Sequence, residues 1–221
     1  MSHSLPTPDA EYPQATVGMG KGGAYEWFDP EAEIDEEAGQ RLPHWRQPGC
    51  IYFVTFRTDD SIPADVLAQW QEERAAWMAR HPEPHDAVTA REYHRRFTAR
   101  THRYLDAGHG SCPFRLPSAR RIVVEILRKL DGAEDGYALD AFVVMPNHVH
   151  VLVAPQGSAS LSEIGQVWKR VSAHRVNKLL GQRGTLWQHE SWDHIVRSPE
   201  HLERYRRYIW DNPKWHQRRS G

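Results

Sequence analysis

Between Gly136 and Pro155 the chain reads GYALDAFVVMPNHVHVLVAP, two apolar, β-branched runs separated by Pro146-Asn147. Runs of this length and composition are strands, and proline belongs at their boundary, so one strand follows another directly. In the second, histidine alternates with valine. Residues two apart on a strand share a face, so His148 and His150 project together while Val149, Val151 and Val153 turn to the opposite, buried face. The fold must therefore cover one face of a sheet with apolar material and leave the other to two imidazoles.

The remaining pattern supplies the cover. Gly49–Phe56 (GCIYFVTF) is a strand by composition, and Pro63 opens a helix running to Arg80, stopped by the HPEP of residues 81–84. Residues 86–107 are polar and basic and read as an inserted helix. Ser118–Leu130 places Ile122, Val123, Ile126, Leu127 and Leu130 on one stripe. Ser160-Leu161-Ser162-Glu163 is a capping-box pattern that starts another helix, ended by Gly181 and Gly184. Leu186–Val196 reads as a strand. Ser198-Pro199 opens a last helix, which Pro213 is expected to end near Asn212. This order predicts an α+β fold, a ferredoxin-like antiparallel sheet covered by helices, with a helical insertion at about 81–115.

The charge is unevenly divided. The 221 residues carry a formal net charge of −1, which by itself argues against a nucleic-acid partner. Residues 1–40, however, hold nine acids and one base, a charge of −8; residues 41–221 hold 27 bases and 20 acids, +7. The first forty residues, rich in Pro and Gly, read as an acidic disordered arm able to compete with DNA for the basic face, and 41–221 as one catalytic domain. No apolar run is long enough to span a membrane, and the N-terminus lacks a secretory pattern. Cys50 and Cys112 are too far apart for a CxxC pair, so a cytoplasmic protein with free thiols is expected. No GxxxxGK[ST] loop is present, so no nucleotide cofactor is expected.

Two imidazoles on one strand face, with Cα atoms about 6–7 Å apart, can bind one metal ion. The spacing alone is weak, since about one such match is expected by chance in a chain with fourteen histidines. The last helix adds context. Tyr205, Tyr208 and Asn212 fall at i, i+3 and i+7, on one face, and Tyr208 and Asn212 are neighbours one turn apart. Arg204, Arg206 and Arg207 interleave with the tyrosines, a basic and aromatic pattern suited to a phosphate backbone. Candidate backbone contacts are Lys169, Arg170, Lys178, Arg197, Arg206 and Arg207; Trp187, Trp192, Trp210 and Trp215 are candidate base-stacking rings.

The run LDAFVVMPNHVHVLVAP followed by LWQHESWDHIVRSPEHLERYRRYIWDNP resembles the single-tyrosine HUH transposases, the IS200-like enzymes, and among them the REP-associated tyrosine transposases. LPHWRQPGCIYFVTFRTDDSIP also looks like that branch, so the resemblance spans roughly 42–215. It implies His148 and His150 as metal ligands, Asn212 as a third, polar ligand, and Tyr208 as nucleophile, with Tyr205 its competitor. It further implies a divalent cation (Mg2+ or Mn2+), single-stranded or hairpin DNA as substrate, a 5′-phosphotyrosine intermediate, and a monomer or homodimer. Two other classes fit the same residues: a metal-dependent nuclease with no covalent step, and an inactive single-strand-binding module. The insertion and the acidic arm depart from the family pattern.

Overall fold

The computed structural model describes residues 10–12, 15–29, 31–32, 35–38, 43–82 and 86–219. Its centre is a six-stranded sheet. Strands β1 (Ala10–Tyr12) and β2 (Ala15–Met19) stand at one edge; β3 (Asp35–Ala38) and β4 (Pro43–Arg46) pair as a separate two-stranded sheet; β5 (Tyr52–Arg57) follows. The long pair β6 (Tyr137–Val144) and β7 (His148–Pro155) and the short β8 (Trp192–Ile195) complete an antiparallel sheet in the order β1-β2-β6-β7-β5-β8. The last four strands in that order have the ferredoxin-like arrangement that the element sequence predicts.

Six helices cover this sheet: α1 (Ala64–Met78), α2 (Ala87–Tyr93), α3 (Ala99–Asp106), α4 (Pro117–Arg128), α5 (Leu161–Leu180) and α6 (Pro199–Arg219). The apolar stripe of α4 (Val123, Ile126, Leu127) and that of α5 (Ile164, Trp168, Val176) meet Val149, Val151 and Val153 of β7 in one core. Leu202 and Ile209 of α6 meet Phe53, Val143 and Leu152 in a second core on the other face. Ser160 caps α5 with both bonds of the capping box formed. Between α2 and α3, His94–Thr98 winds as a π-turn, and Trp77, Tyr93 and Phe97 pack there as a small aromatic cluster.

Three expectations are corrected. Residues 1–40 read by composition as a disordered arm, but Ala15–Met19 within them is strand β2 inside the sheet, with Val17 fully buried and paired to Val143. Two of the glycines that suggested disorder pack tightly: a Cβ on Gly20 would fall 2.2 Å from Leu139 O and one on Gly23 2.9 Å from Ala138 Cβ. Deleting residues 1–40 would thus remove a strand, not merely a competing charge. Next, Pro213 does not end α6, which runs on to Arg219; proline deletes one backbone donor, and a long helix can absorb that loss. Finally, only Trp192–Ile195 of the 186–196 run is strand, with Trp187 forming an isolated bridge to Thr58. No helix among the described residues is long and apolar enough to cross a membrane.

Candidate active site

Alternation along β7 does what the sequence requires. The valines enter the α4/α5 core, and His148 and His150, both fully buried, face the side covered by α6 and by the inserted α3. Thr55, opposite His150 on β5, places Oγ1 2.7 Å from His150 Nδ1. Asn147 donates from Nδ2 to His109 O at 2.8 Å, which orients its amide so that Oδ1 accepts from His148 Nδ1 at 2.8 Å. His148 therefore keeps its proton on Nδ1 and presents a lone pair at Nε2.

That lone pair makes no hydrogen bond, and 3.5 Å away lies Oδ1 of Asp106, the last residue of α3. Two electron-pair donors converge in a dry site, an arrangement that a cation between them relieves. Ligand atoms of Asp106, His148 and His150 all lie within 4.8 Å of one another, so this buried group can hold a metal ion. Burial holds the His150 pKa well below that of an ordinary imidazole, and His148 and His102 push it the same way. His102 of α3 is depressed by burial to about 3, with Asp106 opposing. Its ring stacks on Tyr208 at 5.6 Å and meets His150 edge-on at 5.2 Å.

Helix α6 delivers Tyr208 and Asn212. Tyr208 Oη lies 3.4 Å from His150 Nε2. Burial lifts its pKa well above that of free tyrosine, Asp106 adds to the rise, and the Asn212 amide works against it. One turn on, Asn212 is 2% exposed, with its amide beside the Tyr208 phenol. Tyr205 instead stacks on Phe53 at 4.2 Å, and burial raises its pKa to about 12.

Asp140 fixes the register of α6. The β6–β7 pairing slips between Leu139 and Ala141, a bulge that leaves Asp140 with its carboxylate towards α6. This carboxylate, 2% exposed, accepts from Arg206 Nε at 2.8 Å and from Tyr25 Oη at 2.9 Å. Arg206, expected to contact DNA, is thus committed to Asp140 and Glu203. Lys169, Arg170 and Lys178 lie on α5, behind the opposite face of the sheet, and Lys169 bonds His189 O and Ser191 Oγ. Arg197, exposed just before α6, lies over the Phe28 ring at 5.1 Å, and Arg207 is an exposed residue of α6. Trp187 is a core residue, 5% exposed and bonded to Ser172. Trp210 packs against the α6-side core, Trp192 lies under Arg57, and the Trp215 side chain is outside the described residues.

Sequence reasoning missed Asp106, Thr55 and Asn147. Asn147 directly precedes the histidine pair and could have been weighed as its partner; Asp106 ends a stretch with weak periodicity and only the tertiary fold brings it in.

Residues 119–212 match the family model described as Transposase IS200 like, a span that includes both histidines, Tyr208 and Asn212 and excludes Asp106. Among solved structures, the chain is similar to a REP-associated tyrosine transposase bound to a REP hairpin. The match has 16% identity and a TM-score of 0.40, and covers 79% of this chain and 74% of the other. It is also similar to a Deinococcus radiodurans R1 protein whose description assigns it to the transposases. Here identity is 13% and the TM-score 0.30, with 73% of this chain and 89% of the other covered. A search of curated proteins gives no match.

Proposed function

We propose, from the match of residues 119–212 to the IS200-like transposase model and from the site's geometry, that this chain cleaves and rejoins single-stranded DNA, in hairpin or palindromic form, through a covalent link to Tyr208. The observation that carries this reading is the meeting of Tyr208 Oη with His150 Nε2 at 3.4 Å, beside the converging His148 Nε2 and Asp106 Oδ1. The metal ligands are His148, His150 and Asn212, to which the fold adds Asp106.

The residues fit a divalent cation: neutral imidazoles, a buried amide and one carboxylate supply nitrogen and oxygen donors. When bound, a divalent cation polarises a phosphate oxygen and favours the phenolate. The chain itself does the rest. Thr55 and Asn147 lock the imidazoles, and Asp140 holds α6 through Arg206 so that Tyr208 stays in place. Tyr208 Oη attacks phosphorus, an Oη–P bond forms, and the P–O3′ bond breaks, its electron pair leaving on the 3′ oxygen, which takes up a proton. The 5′-phosphotyrosine keeps the energy of the broken bond, so a 3′-hydroxyl from another strand can attack phosphorus and release the phenol. No nucleotide cofactor is needed.

The test is a labelled hairpin incubated with protein and Mn2+, then run on a denaturing gel. A covalent band is expected with wild type and its complete loss with Tyr208→Phe. A band that persists in Tyr208→Phe moves the role to Tyr205; cleavage without any covalent band makes the protein a hydrolytic nuclease.

A further inference from the structure

Next to the metal-binding group, the inserted segment forms a feature that the reaction above leaves unused. Arg100, Arg103, Tyr104, Ala107 and His109 line an open cleft of about 360 Å3. Its floor is aromatic. The Tyr104 and His109 rings lie 4.2 Å apart, tilted by 31°, and Trp70 meets Tyr104 edge-on at 5.3 Å. Its rim is cationic. Arg100 is fixed, paired with Glu73 at 2.7 Å and lying over the Trp70 ring at 4.6 Å. Arg103 is exposed, bonds back to its own helix at Ala99 O, and has no ion pair among the described residues.

The cleft is tied to the site at two points. Tyr104 stands two residues before Asp106 on α3. His109 O accepts the Asn147 Nδ2 bond, and the same Asn147 amide accepts from His148 Nδ1. Whatever occupies the cleft is thus held against the segment that carries a metal-binding carboxylate and against the residue that orients a metal-binding imidazole.

Resting on the function proposed above, we infer that this cleft seats a nucleotide adjoining the scissile phosphate, with its base on the Tyr104–His109 surface and its backbone phosphate on Arg103. The chemistry is complementary: a base meets the outer face of the Tyr104–His109 pair, and a phosphate meets an uncompensated guanidinium. A base paired and stacked in a duplex cannot offer its face in this way, so the cleft also selects a single strand.

The experiment measures binding of a fluorescein-labelled single strand of about twelve nucleotides to full-length protein in the Tyr208→Phe background, by anisotropy over a range of salt. The added changes are Arg103→Gln and His109→Ala, both at exposed positions; the second keeps the carbonyl that Asn147 needs. His109→Ala is expected to weaken binding roughly five- to 150-fold, the range for losing one stacked base. Arg103→Gln should lower the slope of log affinity against log salt by about 0.7, one single-strand phosphate contact. Wild-type affinity and slope in both variants would overturn the cleft, and if the Tyr208-dependent adduct still forms, the cleft alone falls. If neither wild type nor Tyr208→Phe binds any single strand, the function and the cleft fall together.

Discussion

Around His148 and His150 the two faces of strand β7 are built on opposite principles, although both sides of the sheet also carry an apolar core. On one, Val149, Val151 and Val153 join Phe56, Phe142 and Trp168 in a continuous apolar core under α4 and α5. On the other, across the same strand β7, His148 and His150 sit among Asp106, His102, Tyr208 and Asn212. The first face gains stability from every side chain it buries. The second buries groups that water would solvate better, and it holds them in place with Thr55, Asn147 and the Asp140–Arg206 pair. The odd valines of β7 therefore anchor one core, while of its even residues His148 and His150 serve the chemistry and Leu152 and Ala154 join the second core, so substitutions at the valines and at the histidine cluster should have effects of different kind.

The sharpest contrast is in stability. Phe56 is 2% exposed and meets Trp187 edge-on at 4.8 Å, so Phe56→Ala should cost about 3–5 kcal/mol in urea unfolding, with adduct formation by the folded fraction preserved. If adduct formation vanished while the fold held, the separation of faces would be wrong. Asp140→Asn comes next. It leaves Arg206 without its carboxylate, and because that side chain is 29% exposed the cost should fall to about 2–3 kcal/mol, below that of a fully buried pair. Here the adduct should diminish as well, because α6 loses the anchor two residues before Tyr208.

On the site face the sign should reverse. Asn212→Leu, measured in chelator, exchanges a buried amide for an apolar side chain and should raise stability by about 1 kcal/mol while abolishing the metal-dependent adduct. A loss of stability would show that Asn212 serves the fold.

These differences also explain what could be read from the chain alone. The alternation of His148 and His150 and the one-turn spacing of Tyr208 and Asn212 are local periods, visible without any knowledge of what packs where. Ala15–Met19 was hidden because five strand residues sit among acids, prolines and glycines whose average composition signals disorder. Asp140 needs a bulge to face Arg206, and a bulge leaves no mark on composition. Asp106 is brought to the histidines by the way α3 closes over β7, which depends on the aromatic cluster of Trp77, Tyr93 and Phe97 rather than on any spacing near Asp106 itself.

The smallest expected effect of a single substitution, that of His201→Gln, is on a pH dependence confined to the site face. Burial depresses His102 to about 3 and His201 to about 4, the latter with help from Arg204, and it also lowers His94 and His194. Each is neutral when folded and takes up a proton in the unfolded chain below pH about 6.5. Between that value and the folded pKa the unfolded state binds more protons, so stability declines as pH falls, by at most about 1.4 kcal/mol per pH unit for each histidine. Urea midpoints in chelator should therefore drop from pH 7 to pH 5. His201→Gln, which removes one such group from a partly exposed position, should make that decline shallower without moving the midpoint at pH 7 by much. The α4/α5 core has no histidine among its buried residues, so Phe56→Ala should lower the whole curve and leave its slope unchanged. A slope that followed the core substitution instead would mean that acid unfolds the molecule from the apolar side.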